Sequence, residues 1–396
     1  ILKHIDVVKD ETVRDNYAGQ AKFLRAWAYF NLVRYFGAVP LVTEPFSNGD
    51  MTRTKDRDPV DLVYDFIVSE LNESKTLMTA EFNSSTDYGR ANKWAATALL
   101  GKVLLTRGEK AAALPLLRDV YENSGYELIP DYGALFSESE ELTVAPREVL
   151  FSVRFTPGGL STGSIVPTFA AKDVYHGYGR NVTLYSDNLL KAFTNTTDTL
   201  VDERFHVTCS NVPGYFEGPM DLGVLSRYPA KLVGLEKGSD NAYHSVLLPT
   251  DNDAGLDYPE IRFADVVLML AECEGNTEEG IRLLNEVRAR ASAPLYDETA
   301  INTLFGGDFE EAVLNERRLE LAFEGDRLFD LERMGNDYME AKLLEFYNNE
   351  KVYTDEAHFF AIVQIVKQVT NNGASIDNWR FLLPIPRNQL VRSEVM

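Results

Sequence analysis

Residues 19–45 read GQAKFLRAWAYFNLVRYFGAVPLVTEP and contain a helix, its end and an extended exit. Nearly every position over 21–36 is apolar, with two arginines, one lysine and one asparagine between them. A helix that is apolar nearly all round is predicted to be buried. Gly37 supplies a left-handed C-cap, and Pro40 forbids further helix while favouring extended geometry at Val39. The stretch therefore predicts a core helix followed by an extended segment.

A helical hairpin is predicted further along, over 91–122, where two helical patterns are separated at Gly108. The small residues Gly101 and Ala113 fall where the two helices must approach each other closely, as in tetratricopeptide-type hairpins. One hairpin of this kind is a weak signal by itself.

Two further helix pairs are predicted in the last third of the chain. The first covers 261–291 and is separated at Gly275, and the second covers 308–335. In the second pair Gly325 ends one helix, and Asp326 is predicted to cap the next. Because the three pairs are unevenly spaced, they indicate stacked hairpins rather than a regular tandem array.

The sequence changes character over 124–259, where short β-like runs such as 148–155 alternate with loops rich in Gly, Pro, Ser, Thr and Asn. A long irregular region within a compact protein is usually functional. The predicted fold is therefore mainly α. Scaffold segments 1–123 and 260–396 form a tetratricopeptide-like helical-hairpin frame that encloses a loop-rich, partly β insertion over 124–259.

Composition excludes several classes of partner. The formal net charge is −22 and the sequence pI is about 4.7, so the long-range field repels nucleic acid and anionic lipid. No apolar stretch is long enough to span a membrane. The two cysteines, Cys209 and Cys273, cannot form a disulfide framework and leave the redox compartment undetermined.

Several blocks of sequence resemble one known family. The stretch AKFLRAWAYFNLVRYFGAVPLV, over 21–42, is similar to the N-terminal signature of the SusD/RagB family, the cell-surface nutrient-binding lipoproteins of Bacteroidetes. Five more family-like blocks follow in the expected order, at 89–92, 257–265, 285–291, 316–335 and 381–386. Because these blocks cover nearly the whole chain, the resemblance is far more specific than any one of them.

The resemblance implies a non-enzymatic binding protein without catalytic residues, metal or cofactor. It would capture an oligosaccharide at the outer surface of the outer membrane and deliver it to a SusC-like TonB-dependent transporter. Membrane attachment would be through a lipid anchor. Since the chain begins at Ile1 without an initiator Met, signal peptide or lipid-attachment Cys, an N-terminal piece carrying that anchor is expected to be missing. Peptide capture, as in the RagB-like branch, and a helical-repeat protein-interaction adaptor stay open as alternatives.

Charged residues in the block at 316–335 are predicted to be structural. Their spacing allows charge-assisted bonds between two helices, and arginine with carboxylate is the pairing that tolerates partial burial. They are Glu316, Arg317, Glu320, Glu324 and Arg327.

The sequence matches a nucleophile motif and a calcium-binding loop only in part, and its histidines do not form a metal-binding motif. Residues 159–163 read GLSTG and match the nucleophile elbow around Ser161, but the motif needs a helix directly after it, and the sequence there is a poor helix start. An esterase using Ser161 is thus a third alternative. The histidines lack metal-binding spacing, and Gly255 stands where a calcium loop running from Asp251 to Asp257 would need an oxygen ligand.

A carbohydrate site needs exposed aromatic rings flanked by groups that hydrogen-bond hydroxyls. The three tryptophans, Trp27, Trp94 and Trp379, lie inside or within two residues of family-like blocks and are predicted to be structural, so tyrosines must carry the stacking. Two glycines flank Tyr178 and leave its ring uncovered, ahead of a short predicted helix at 186–193. The predicted ligand-binding residues are Tyr178 first, then Arg180, Tyr175 and Tyr185, with a second cluster at Tyr215 and Phe216.

Overall fold

The computed structural model describes residues 1–45, 56–80, 88–158, 163–164, 185–194, 201–209, 229–232, 234–239, 243–245 and 254–349. Its helices are α1 (Glu11–Phe36), α2 (Val60–Leu77), α3 (Lys93–Thr106), α4 (Lys110–Asn123), α5 (Glu141–Glu148), α6 (Asp187–Ala192), α7 (Arg204–Thr208), α8 (Phe263–Glu274), α9 (Glu278–Arg290), α10 (Glu298–Phe305), α11 (Phe309–Glu320), α12 (Arg327–Arg333) and α13 (Asn336–Asn349). Its strands are β1 (Val149–Val153), β2 (Leu235–Lys237), β3 (Tyr243–Ser245) and β4 (Tyr258–Arg262). Short 3-10 helices lie at Leu2–Val7, Tyr132–Phe136 and Ala230–Leu232.

The helices stack in sequence order around one main apolar core. Helix α1 packs on α2, α2 on α3, α3 on α4, α4 on α8, and α8 on both α9 and α11. The core draws side chains from α1 to α4, from α8 to α11 and from strands β1 and β4. All three predicted helix pairs are present, and the mainly helical fold class is confirmed.

Helix α1 is buried on one face only, which corrects the prediction that it is buried all round. Phe23 and Phe30 are 0% and 1% exposed, whereas Leu24 and Leu32 on the other side are 44% and 40% exposed. The reason is its place in the stack, since its main helical neighbour is α2. The predicted end is confirmed, because Gly37 has a φ of 68° and its N–H bonds to the Val33 carbonyl.

The contact between α3 and α4 depends on the absence of a side chain at Gly101. A Cβ atom there would lie 2.6 Å from Cδ2 of Leu117, which is closer than carbon atoms approach in proteins. Ala113, on the same helix as Leu117, is fully buried. The close approach predicted at Gly101 is confirmed.

Replacement of Gly101 by valine is expected to lower the free energy of unfolding by about 2 kcal/mol, because Leu117 and the α4 backbone must move apart to make room. Urea unfolding followed by circular dichroism measures the change. Ala111→Val, at an exposed position on α4, introduces the same side chain and is expected to cost less than about 0.7 kcal/mol. Equal effects at the two positions would argue against a packing constraint at Gly101.

A short antiparallel pair of strands joins the predicted insertion to the second half of the scaffold. Strand β1 pairs with β4, so that Phe151 lies opposite Ile261 and Val153 opposite Tyr258. The strand predicted at 148–155 is therefore confirmed as β1. Strand β4 begins at Tyr258 and runs directly into α8. The division into scaffold and insertion stays a prediction.

A buried network of ion pairs centres on Glu320, at the end of α11. Its carboxylate accepts hydrogen bonds from Arg204 at 3.0 Å, Arg262 at 2.9 Å and Arg290. All four side chains are at most 4% exposed. Because Arg204 belongs to the predicted insertion and the other three to the scaffold, the network ties the two regions together.

A second buried network links α3, α8 and α11 to the start of α12. Asp265 accepts from Lys102 at 2.9 Å and from Arg317 at 2.6 Å, and Arg317 also binds Asp330 at 2.9 Å. Asp326 forms an ion pair with Lys102 at 2.6 Å and makes no hydrogen bond to the first turn of α12. The cap predicted at Asp326 is therefore wrong, since the buried Lys102 ammonium engages its carboxylate instead.

The structural role predicted for the charged residues of α11 and α12 is confirmed for four of the five, although their partners differ. They bind residues elsewhere in the fold, as Glu316 binds Arg288 at 2.5 Å and Glu324 binds Arg262 at 2.7 Å. Arg327 differs, because within the described residues it donates only one long hydrogen bond, of 3.4 Å, to a backbone carbonyl of α11. Spacing along a helix therefore indicated buried ion pairs without indicating the partners.

Candidate functional site

A half-open cavity of about 250 Å³ lies between the C-terminal half of α1, strand β4 and the turn that joins α11 to α12. It is called the α1 cleft below. Its lining combines aromatic rings with charged groups. The side chains that carry its chemistry are Trp27, Arg34, Tyr35, Tyr258, Glu260 and Asp326.

Helix and strand periodicity place these side chains together. Trp27, Asn31 and Arg34 follow one another at helical spacings of four and three residues and so share one face of α1. Tyr258 and Glu260 are two residues apart on β4 and so share one face of the strand. The α1 cleft is formed where these two faces meet.

Arg34 is held by aromatic rings rather than by a carboxylate. Its guanidinium carbon lies 3.9 Å from the ring centre of Phe30 and 3.8 Å from that of Phe329, a stacked arrangement that arginine favours. It donates to Oδ1 of Asn31 at 2.6 Å, and burial lowers its pKa. No carboxylate in the described part of the chain forms an ion pair with Arg34, and its Nη1 atom is neither fully buried nor hydrogen-bonded there.

Glu260 faces the same cavity from β4. Its Oε2 atom accepts a hydrogen bond from the indole Nε1–H of Trp27 at 3.2 Å, and burial raises the pKa of its carboxyl group. Among the described residues it has no ion-pair partner, and its Oε1 atom is not fully buried. The α1 cleft thus contains one open acceptor as well as one open donor.

The remaining charges of the cleft are already paired. Lys102 contacts both Asp265 and Asp326, and although burial acts to lower its pKa, these two carboxylates raise it overall. Glu324 binds both Arg262 and Lys231. Arg34 and Glu260 are therefore the charged groups in the described lining that can take a new hydrogen-bond partner.

This arrangement suits a ligand that carries both hydrogen-bond donors and acceptors beside an apolar face. Trp27, Tyr35 and Tyr258 are each half-buried, so part of each side chain remains accessible. Aromatic rings with a few convergent polar groups are typical of small-molecule sites. The adaptor alternative predicts a groove without exposed aromatic side chains, and the α1 cleft does not have that character.

The ligand-binding residues predicted from the sequence are placed only in part. Tyr178, Arg180, Tyr175, Tyr215 and Phe216 lie outside the described residues, as does Ser161 of the partial nucleophile motif.

Tyr185 is described, and its side chain is buried. It is 4% exposed and packs in an apolar cluster with Leu189, Phe193 and Leu319. A ring covered in this way cannot present a stacking face, so the structure corrects the open platform predicted at Tyr185.

The sequence-based prediction missed the α1 cleft. Trp27 was predicted to be structural because it lies in a family-like block, but its indole lines the cavity and holds Glu260. The signal in the sequence was the recurrence of Trp27, Asn31 and Arg34 on one face of a helix that is otherwise apolar. Trp94, by contrast, is 6% exposed and packs in the main core.

The acidic residues of the predicted loop do not form a described metal site. Asp251 and Asp253 lie outside the described residues. Asp257 is 5% exposed and accepts from Nε of Arg154 at 2.9 Å and from the Phe155 amide at 2.8 Å. Within the described ranges, no group of three or more His, Cys, Asp and Glu side chains is arranged to hold a metal ion.

Every helix in the described part of the chain is too short or too polar to cross a membrane. This agrees with the absence of a long apolar run in the sequence.

Comparison with known proteins connects this fold to one family. Residues 190–396, just over half of the chain, match the SusD family model, and residues 1–105 match a model described as starch-binding associating with outer membrane. The SusD-like protein P2 of Formosa agariphila is 25% identical over 413 residues, which cover 97% of this chain and 73% of that protein. The chain spans 66% of two other SusD-like relatives from that organism, P25 and P38.

Solved structures agree on the fold. A laminarin-binding SusD-like protein superposes with a TM-score of 0.66 at 23% identity, covering 99% of this chain and 80% of that one. A protein crystallised with xylogluco-oligosaccharide superposes with a TM-score of 0.71 at 21% identity, covering 99% and 82%. From the family match, the helical stack and the ordered sequence blocks, we conclude that the protein belongs to the SusD/RagB family.

Proposed function

We propose that this protein captures oligosaccharides at the outer surface of the outer membrane and delivers them, chemically unchanged, to a SusC-like TonB-dependent transporter. The observation that carries the proposal is the SusD family match over 190–396. An aromatic-lined cleft with an open donor and an open acceptor supports it. Laminarin and xylogluco-oligosaccharide binding by two proteins of the same fold supports the ligand class. The outer-membrane wording of the matched N-terminal model supports the location, with a lipid anchor as the means of attachment.

The helical stack would serve as the rigid body of the complex. One buried ion-pair network ties Arg204 of the predicted insertion to the scaffold, and the other ties the two scaffold segments together through Lys102 and Asp265. A preorganised frame lowers the conformational entropy that binding must overcome. The insertion over 124–259 would contribute the main ligand face, with Tyr178, Arg180 and Tyr175 in one cluster and Tyr215 and Phe216 in another.

Peptide capture is the second candidate, and one observation favours it. Arg34 and Glu260 carry opposite charges in one cavity, a combination that matches the carboxylate and the ammonium group of an amino acid or a chain terminus. The same two groups also serve a sugar, because each hydroxyl both donates and accepts a hydrogen bond. Binding measurements with both ligand classes separate the two candidates.

Isothermal titration with laminarin, xylogluco-oligosaccharide and maltoheptaose is expected to show binding of at least one of these glycans. Tyr178→Ala is expected to weaken that binding about 30-fold, because loss of a stacked aromatic ring at a binding centre costs about 2 kcal/mol. Tyr17→Ala, at a 43% exposed tyrosine on α1 and outside the insertion, is the matched control and should bind as the parent does. Binding of a peptide library without binding of any glycan would disprove the sugar assignment.

A further inference from the structure

We propose that the α1 cleft is a second ligand site, formed by residues other than those predicted for the loop face, that takes one neutral sugar residue of a captured oligosaccharide. This inference rests on the proposed function and names a site and a ligand class within it. Its basis is a pair of opposite charges, Arg34 and Glu260, that line one cavity and are not joined to each other.

Arg34 and Glu260 are held by different neighbours and do not pair with each other. Two opposite charges in a partly buried site gain from pairing, since the local dielectric is lower than that of water. Arg34 is instead fixed between the rings of Phe30 and Phe329, and Glu260 is fixed by the indole of Trp27. Each charge is therefore held in place by neighbours of its own, which leaves the space between them available to a third group.

The open donor on Arg34 and the open acceptor on Glu260 indicate which chemical group fits between them. Nη1 of Arg34 offers a donor and Oε1 of Glu260 an acceptor, and neither has a hydrogen-bond partner among the described residues. A sugar hydroxyl can accept from the guanidinium and donate to the carboxylate. Hydrogen bonds to ionised groups are about twice as strong as neutral ones, and the rings of Trp27, Tyr35 and Tyr258 offer apolar surface to the carbon face of the sugar.

Charged groups of both signs line the cleft. A uronic acid with its carboxylate on Arg34 would still bring that charge into a cavity that Glu260 and Asp326 line, and an amino sugar with its ammonium group on Glu260 would bring that charge into a cavity that Arg34 and Lys102 line. Like charges brought together in this way cost free energy, whereas a neutral ring meets both signs without such a cost. The lining therefore favours a neutral sugar over either charged kind.

The size of the cavity limits how much of an oligosaccharide it can hold. The cavity volume is about 250 Å³. Sites for drug-sized ligands begin at about 300 Å³. The α1 cleft is thus suited to one sugar ring at the end or branch of a chain rather than to several consecutive rings.

The test is isothermal titration of the parent and of two cleft variants, Glu260→Gln and Arg34→Met. The neutral probes are laminarin, xylogluco-oligosaccharide and maltoheptaose, and the charged probes are an oligogalacturonate and a chitosan oligosaccharide. Each cleft variant is expected to bind the preferred neutral glycan about 10- to 100-fold more weakly, as loss of one charge-assisted hydrogen bond predicts. The matched controls Glu73→Gln and Arg14→Met remove the same groups at positions outside the cleft and should stay within about twofold of the parent.

The outcomes distinguish this inference from the proposed function. If the cleft variants bind a neutral glycan as tightly as the parent while Tyr178→Ala loses binding, the α1 cleft is not a sugar site and the proposed function stands. Preference of the parent for a charged probe would overturn the neutral class. If the parent binds no glycan at all, the proposed function itself fails.

Folding of the variants is checked by thermal unfolding, and a second measurement follows occupancy of the cleft directly. Neither Arg34 nor Glu260 has a described ion-pair partner, so their replacement leaves no buried countercharge behind. In the parent, saturating glycan is expected to change tryptophan emission, because Trp27 lines the cleft. Trp27→Phe should abolish that change, and its persistence in this variant would contradict occupancy of the α1 cleft.

Discussion

Replacement of Glu320 by glutamine is expected to lower the free energy of unfolding by about 3–5 kcal/mol at pH 7, because loss of one partner from a buried ion pair leaves uncompensated charge in the interior. The Glu320 carboxylate is fully buried and lies against three arginines, Arg204, Arg262 and Arg290. A neutral amide can accept from these donors but cannot offset their charge. The effect should be among the largest of any single substitution in the chain.

Urea unfolding followed by circular dichroism measures this loss. Glu345→Gln on α13 is the matched control, since that glutamate is 52% exposed and pairs with Lys342 at 3.6 Å. Exposed pairs of this kind contribute at most about 1 kcal/mol. A loss of less than about 1 kcal/mol for Glu320→Gln would mean that water enters the network and screens the arginines.

Stability is expected to fall by about 5 kcal/mol between pH 7 and pH 2, and the buried carboxylates are the main cause. Although burial acts to raise the pKa of Glu320, its three arginines lower it overall. Lys102 and Arg317 lower the pKa of Asp265 in the same way, and Arg317 and Arg333 lower that of Asp330. Each group is then ionised in the folded state at pH values where the unfolded chain already binds a proton.

The sign follows from those lowered pKa values. The stabilisation that Glu320, Asp265 and Asp330 give the folded state is complete above about pH 4, the pKa of these groups in the unfolded chain. It is lost as the pH falls through their lower pKa values in the folded state. Asp326 and Glu260 oppose this trend, because burial raises their pKa and makes protonation of the folded state easier. We expect the three lowered groups to dominate, since each of them faces two or three cations at hydrogen-bond distance.

The Glu320→Gln variant isolates one of these carboxylates. Its stability deficit relative to the parent should shrink as the pH falls below about 4, because the unfolded parent then binds a proton at Glu320, whereas the unfolded variant has no such group. Urea unfolding at a series of pH values measures the difference. A deficit that stays constant down to pH 2 would show that the deficit does not arise from the charge of Glu320.

The buried networks also bear on the proposed function. They connect elements of both scaffold segments with Arg204 and Lys231 of the predicted insertion. Removal of such a connection should affect the relative position of scaffold and insertion as well as stability. The cleft variants avoid this complication, because Arg34 and Glu260 stand outside both networks.

The sequence predicted most of the scaffold because helices and turns depend on local features. The apolar run before Gly37, the small residues Gly101 and Ala113, and the β-like run at 148–155 each describe a structure that forms among near neighbours. The helix end, the close approach and the strand predicted from them are confirmed, whereas the cap predicted at Asp326 is wrong. The exposed side of α1 could not be predicted, because an apolar helix does not indicate which of its faces meets a neighbour.

For this protein the sequence by itself determined the family, the helical hairpins and the strand that closes on β4. Only the tertiary structure decided where charges and rings meet, because the α1 cleft joins α1 to β4 and to the α11–α12 turn, both of which lie more than two hundred residues after α1 in the chain. The same holds for the buried ion pairs, whose members were predicted from residues 316–327 and whose partners come from the rest of the fold. Helical periodicity acts over a few residues, whereas a binding site and a buried ion pair depend on packing between distant segments.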